Sequence, residues 1–381
     1  KVLIPKVRTT LSFTYIDDPL YNFWGFNGAA SPVYKALTSN KSYASQIQDG
    51  TIPASDAALF SSMGVDPLKN ISYYCTNRDI IRVLADFQGN ITPHLLWAGG
   101  ISYWNFRMGD INEGKYGYDA KSTLYNHYKQ YGVIRDSEAK GGNRLELKAG
   151  LVYDSRDFET APNKGIWLEI YLNGSPDVFG DGFNYLKLSA HFRHYVRIPF
   201  GLKVGDPVFA YHLAYQGTMA GKAPFYIQQN VTALVLKQLM SEGLGSSNTL
   251  RGTHANRLIG DGYAWGNFEL RIKIVNFKLL KQNFYLAANP FFDCGMIVQP
   301  YRVHEMSALP EIGVLALEAG YKPAETEKYI RNMAHQFIYS GGAGLKLAWN
   351  QNFILSAEVA HNFNTGIGAP FWISLGTNYC F

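Results

Sequence analysis

Segments of about ten residues in which apolar and polar side chains alternate recur along almost the whole chain, and a period of two specifies β-strands. From Arg144 to Asp154, the residues Leu145, Leu147, Ala149, Leu151 and Tyr153 share one face. Arg144, Glu146, Lys148, Gly150 and Asp154 share the other, with Val152 the exception. Asn184 to Ile198 sets Leu186, Leu188, Ala190, Phe192, Val196 and Ile198 against Lys187, Ser189, His191, Arg193, Tyr195 and Arg197. Leu270, Ile272 and Ile274 oppose Glu269, Arg271 and Lys273, and the pattern returns over Gln336–Trp349. Similar stretches near 6–16, 21–29, 79–91, 94–108, 165–173, 207–218, 284–298, 352–361 and 371–381 bring the count to about thirteen strands. Strands of soluble domains peak at about five or six residues, whereas a tilted strand needs about nine to eleven to cross a bilayer.

Alternation alone also fits a soluble sandwich. Three further features favour an all-β, antiparallel transmembrane β-barrel forming a single domain over 1–381. Aromatic residues stand at strand ends (Tyr153, Trp349, Phe363, Phe371, Tyr379, Phe381), as in interfacial girdles. The opposite faces carry Gly, Ala, Ser and charges, which suit a polar lumen. Connections alternate in length, as periplasmic turns and extracellular loops do. Asp17–Pro19, Thr92–Pro93, Pro199–Pro207, Lys278–Asn283 and Trp349–Asn352 are short; those near 30–78, 109–142, 218–265 and 299–334 are long. Within the long ones, Val231–Met240, Pro323–Met333 and Tyr118–Tyr131 have the composition of short helices. Disorder is excluded by 26 Tyr and 23 Phe. No run of about 18 apolar residues could form a membrane helix.

A net charge of +5 is spread along the chain, so no nucleic-acid partner is expected. Three cysteines without CxxC spacing indicate neither a disulfide framework nor a zinc site, and no metal or cofactor is expected. Lys1 to Pro5 lacks the features of a signal peptide. His191 and His194 fall on opposite faces and no Ser/His/Asp grouping is apparent, so an enzyme is not expected. An odd strand count cannot close an up-and-down barrel, so the expectation is a chain that starts partway round.

The final stretch carries Gly376, Tyr379 and Phe381 as Gly-x-x-aromatic-x-Phe, which resembles the signal by which outer-membrane barrels are recognised for insertion. That resemblance puts Phe381 at the periplasmic rim and the long connections outside the cell.

Thr249-Leu250-Arg251-Gly252-Thr253-His254, followed by Gly266-Asn267-Phe268-Glu269-Leu270-Arg271 and Phe291-Phe292-Asp293-Cys294-Gly295, resembles the sixth loop and following strands of the BamA/TamA barrel family of outer-membrane assembly and translocation proteins. The resemblance implies that Arg251 and Gly252, at the tip of a loop over 218–265, fold back into the lumen, with Arg251 meeting Glu269 and Asp293. The physics agrees: two carboxylates inside one barrel repel, and a planar guanidinium can bridge them. Asp154, Arg156 and Asp157 followed by Pro162 and Gly165 resemble the family's mid-barrel turn, though turn chemistry explains much of that pattern. The stretch from Leu3 to Gly28 looks like the fourth and fifth strands of the Bacteroidetes branch, so the chain would hold about thirteen of sixteen strands, with no POTRA domain visible.

The resemblance implies a bacterial outer-membrane location and a role in inserting or translocating proteins there. Implied partners are outer-membrane lipid and lipopolysaccharide, periplasmic or lipoprotein assembly partners, and client outer-membrane proteins. The competing expectations are a closed accessory or scaffold barrel and a passive pore or receptor.

Overall fold

The computed structural model describes residues 6–28, 74–112, 123–130, 133–234, 239–301, 334–350, 353–364, 371–377 and 379–381. Seven strands come first: β1 (Val7–Asn22), β2 (Cys75–Asn90), β3 (Leu95–Gly109), β4 (Gly141–Asp154), β5 (Gly165–Ser175), β6 (Tyr185–Arg197) and β7 (Val208–Gly221). A separate hairpin of β8 (Asn230–Leu234) and β9 (Leu239–Glu242) follows. Then come β10 (Gly262–Leu279), β11 (Gln282–Gln299), β12 (Ile338–Trp349), β13 (Phe353–Asn362) and β14 (Trp372–Thr377). Apart from β8 and β9, these make one 12-stranded sheet in chain order, antiparallel at every step. Among the described residues β1 and β14 are not paired with each other.

The polarity of the sheet is inverted relative to a water-soluble one. Leu147, Leu151, Leu345 and Leu355 lie close to half exposed, whereas Arg144, Glu169, Arg193, Glu269, Asp293 and Lys346 are at most 1% exposed. Charges inside and leucines outside define a transmembrane β-barrel. Aromatic ladders mark both ends. Phe277, Phe284 and Trp349 stack in sequence beside the short turns, with centroids 5.4 and 5.9 Å apart. Phe337, Tyr339 and Phe363 do so at the other end, 6.1 and 5.7 Å apart. The β10–β11 turn has two residues, Leu280 and Lys281, at φ 49° and 64°, the left-handed pair of a primed hairpin turn.

Three expectations are corrected. Asp17–Pro19 is no turn: β1 runs through it, pairing Asp18 with Arg78 and then Tyr21 with Thr76 across a register shift. Proline lacks a ladder donor and is tolerated at such a bulge, here on a strand with one described neighbour. The segment near 21–29 leaves the sheet after Asn22 and buries Phe23, Trp24 and Phe26. Among the described residues the sheet holds twelve strands, in keeping with the about thirteen expected. The described residues of Val231–Met240 are not helical but belong to the paired strands β8 and β9, in keeping with the β-branched Val231 and Thr232.

The helix expected within Tyr118–Tyr131 is α1 (Leu124–Gln130), and Pro323–Met333 lies outside the described residues. Two single-turn helices were not anticipated, α2 (Asp136–Ala139) and α3 (Phe225–Gln228). They pack with α1 and residues 23–26 into an aromatic cluster at the long-loop end. Phe23 meets Phe26, Tyr125 and Tyr128 edge-on, and Phe26 stacks on Tyr301 at 4.1 Å. Glu138 is wholly buried at its centre, accepting from the Phe225 amide at 2.8 Å and the Tyr301 hydroxyl at 3.2 Å.

Candidate functional site

The connection between β7 and β10 turns back against the inner wall. Leu244, Leu250 and Leu258 seat it in an apolar cluster with Tyr263, Trp265, Ile297 and Ile338. Its tip is shaped locally: the Thr249 hydroxyl accepts from the Gly245 amide at 2.8 Å and donates to the Gly245 carbonyl at 2.6 Å. Gly252 has φ +81°, and a Cβ there would stand 3.2 Å from the Ala360 Cβ. The tip therefore needs glycine for its conformation and for its approach to β13.

This turn delivers Arg251, wholly buried, onto the two expected carboxylates. Its Nε and Nη2 donate to Asp293 at 2.8 Å each, and its Nη1 donates to Glu269 Oε1 at 2.5 Å. Its own amide also donates to Asp293, at 3.1 Å. Arg251, Gly252, Glu269 and Asp293 are thus together.

Several members of the cluster had not been foreseen. Glu358 on β13 accepts from Arg251 Nη1 at 3.2 Å and from Lys346 at 2.6 Å, and the guanidinium lies 3.5 Å over the Phe291 ring. Ser340 donates to the Arg251 carbonyl at 2.5 Å, Asn267 to the Thr249 carbonyl at 2.6 Å, and Asn362 to the Thr253 hydroxyl at 2.8 Å. Sheet register explains the convergence, since Asn267 pairs with Asp293, Asp293 with Ser340, and Gly344 with Glu358. The available signal was inward parity of a polar residue on each successive strand.

Three cations (Arg251, Arg271, Lys346) face three carboxylates (Glu269, Asp293, Glu358) in this buried network. Balance of that kind matters, because a buried charge left without its partner is far more costly than the pair.

The mid-barrel turn is organised by its own acids. Asp154 accepts from Arg156 Nε at 2.9 Å and Nη2 at 2.6 Å, while Asp157 accepts from the Asn163 and Lys164 amides at 2.9 and 3.2 Å. Gly165 takes φ +112°, and Pro162 is buried. Arg156 lies 3.8 Å over the Trp167 ring, and Arg193, paired with Glu169 at 2.7 Å, lies 4.4 Å from it. The turn is thereby fastened to the inner wall by stacking as well as charge. His191 and His194 occupy opposite faces. His191 meets His212 at 3.1 Å inside, and His194 meets the Tyr211 hydroxyl at 3.0 Å.

The end of the sheet departs from expectation. Gly376 lies on β14 opposite Ser356, but β14 stops at Thr377. Tyr379 and Phe381 do not join an outer girdle. Phe381 is 9% exposed, packed against Tyr195, Val208 and Ala210 of β6 and β7, and its carbonyl accepts from Arg271 at 2.8 Å. Arg271, a buried cation on β10, supplies there the partner that a girdle position lacks.

A family model described as the Omp85 superfamily domain matches residues 102–370. The chain belongs to the Omp85 superfamily. Among solved structures, this Omp85 barrel is similar to BamA from Haemophilus ducreyi lacking POTRA domains 1–3, at 14% identity and a TM-score of 0.49. That match covers 80% of this chain and 55% of the other. No curated protein matches the chain in sequence.

Proposed function

We propose that this Omp85 barrel inserts or translocates client proteins at the bacterial outer membrane, through a seam flanked by β14. The carrying observation is the contrast at the end of the sheet: β14 has 6 residues beside the 10 of β13, and the chain beyond it turns inward. A short, weakly held strand leaves N–H and C=O groups open as a template on which a client strand can pair. The Arg251 network acts in this reading as a lock that keeps the long loop against the wall while the seam works. A passive pore or receptor is the poorer reading, because a loop fixed inside the lumen obstructs passage. The lipid-facing leucines support contact with outer-membrane lipid and lipopolysaccharide, and periplasmic or lipoprotein partners would deliver the clients.

The test is reconstitution into vesicles of phosphatidylethanolamine and phosphatidylglycerol, followed by addition of an unfolded small outer-membrane barrel. Client folding, read by heat-modifiable gel migration, should be several-fold faster than in vesicles carrying an unrelated closed barrel. Equal rates would sink the proposal and favour a closed accessory or scaffold barrel.

A further inference from the structure

We propose that the long-loop rim of this barrel holds a slot between β7 and β11, one strand wide, which takes an extended acidic segment of a second polypeptide by strand addition. The slot is a consequence of the loop that carries Arg251. That loop leaves the lumen past the buried Leu258 and Ile259, and the Gly260 amide donates to the Tyr263 hydroxyl at 2.9 Å. β10 therefore joins the sheet only at Gly262, which pairs with Gly217 on one side and Gln299 on the other. β7 runs on to Gly221, still paired with Tyr185 of β6. Neighbouring strands lie about 4.8 Å apart, so β7 and β11 stand roughly 10 Å apart beyond Gly262, the space of one strand. An open cavity of about 870 Å³ lies there, with residues 218–223 on one side, 298–301 on the other and Asp261 at its floor.

Gln299 stands in for the missing strand. Its Oε1 accepts from the Thr218 amide at 2.9 Å, and its Nε2 donates to the Thr218 carbonyl at 3.3 Å. A residue of a neighbouring antiparallel strand would exchange the same pair of bonds. Glycines make room for this side chain, since a Cβ on Gly217 or Gly262 would stand 2.7 or 2.5 Å from its Oε1. Past Thr218 the substitution ends. Met219, Ala220 and Gly221 are exposed, and on the side away from β6 they pair with no strand among the described residues. Such an edge is a template for another chain. Pro300 has no N–H to offer from the far side, so β7 is the wall on which an incoming strand would pair.

Charge selects the segment. Lys222 lines the slot, its ammonium 5.3 Å from the Phe183 ring and in no ion pair among the described residues. Asp261 is already engaged, accepting from the Gln228 side-chain amide. An acidic residue in the incoming strand would find an open cation, whereas a basic one would find its carboxylate taken.

The slot lies apart from the seam at β14, and its test separates the two. The full chain in nanodiscs is titrated with fluorescein-labelled Thr-Val-Glu-Val-Thr-Val amide, with its counterpart carrying Lys for Glu, and with the acidic peptide N-methylated throughout. The plain acidic peptide should bind about tenfold more tightly than either of the others. Gln299→Ala, which frees the Thr218 backbone, should tighten binding several-fold, and Lys222→Glu should reverse the preference for charge. Heat-modifiable migration checks that both variants fold. Bound peptide should slow hydrogen exchange at 218–221. An N-methylated peptide that binds as well as the plain one would mean that charge alone is read, which overturns strand addition. Slowed exchange at 372–377 alone would place the peptide at the seam, overturning the slot while supporting the functional reading. Absence of binding to both the parent and Gln299→Ala overturns the slot outright.

Discussion

Two buried acid sites in this barrel are satisfied in different ways. Glu269 and Asp293 on the inner wall are bridged by Arg251, which brings a full positive charge and paired donors. Glu138, in the outer-loop cluster, accepts from donors without charge, the Phe225 and Arg135 amides and the Tyr301 hydroxyl, and forms no ion pair among the described residues, the Arg135 charge acting on it only from a distance. The first arrangement sets its carboxylates in an ion-pair network and makes the loop an integral part of the wall. The second leaves an acid whose protonation is linked to the packing around it. The inner lock is thus built for permanence, and the outer cap is coupled to pH.

The strongest way to break the contrast is Arg251→Ala. It leaves Asp293 buried without a cation and Glu269 with Arg271 alone, and such a change costs about 3–5 kcal/mol. The barrel should still fold, with new protease cuts between 218 and 265 and a lowered unfolding midpoint in urea. Unchanged protection would show that the apolar seat alone holds the loop. Arg251→Lys should recover only part of the loss, because one ammonium cannot present the paired edge to Asp293. Exchanging the charges of Arg251 and Glu269 should restore protection only in part, since the new carboxylate would face Asp293.

A smaller effect on the same side is expected for Gly252→Ala. A side chain at φ +81°, with Ala360 and His361 within 3.4 Å of it, should cost about 1–3 kcal/mol. Stability equal to the parent's would mean that β13 gives way and that the close approach is not needed.

Much of this lock, and little of the cap, was legible in the sequence. Arg251, Glu269 and Asp293 are charged residues on or beside strongly alternating strands, so parity already turned both acids inward. Glu358 and Lys346 obey the same parity, but nothing local marks which polar residue of β12 and β13 lies level with the loop tip. That depends on register. Glu138 sits on a single helical turn in a segment without period, and its partners come from 87 and 163 residues away. The bulge in β1 was missed because Asp-Asp-Pro is ordinary turn chemistry, and only pairing with β2 overrides it. Residues 379–381 looked like girdle aromatics by alternation, and alternation is silent about where a strand stops.

The cap offers the next test. Burial pushes the Glu138 carboxyl above its ordinary 4.5, more than the Phe225 and Arg135 amides and the Tyr301 hydroxyl hold it down. A raised value in the folded state contributes stability that is fully present below pH 4.5 and lost as pH rises through the raised value. Hydrogen exchange at α3, corrected for intrinsic rates, should therefore quicken from acid to neutral pH. Glu138→Gln should flatten that dependence, while the 249–253 segment stays protected throughout. Parallel profiles for parent and variant would remove the distinction between the two sites.

A position with neither charge nor crowding gives the lower limit of the scale. Gly376 on β14 does not take a left-handed φ, and a Cβ there would meet only the Ser356 hydroxyl at 3.5 Å. Gly376→Val replaces a poor strand former by a good one and should raise stability by less than about 1 kcal/mol. Its value lies in the second readout. If the seam works by loosening β14, client insertion should slow while the urea midpoint holds or rises, the opposite of what Arg251→Ala does to stability. Insertion that follows stability in both variants would mean that the lock and the seam are one mechanical unit, joined through Glu269, which accepts from Arg251 on one oxygen and from Arg271 on the other.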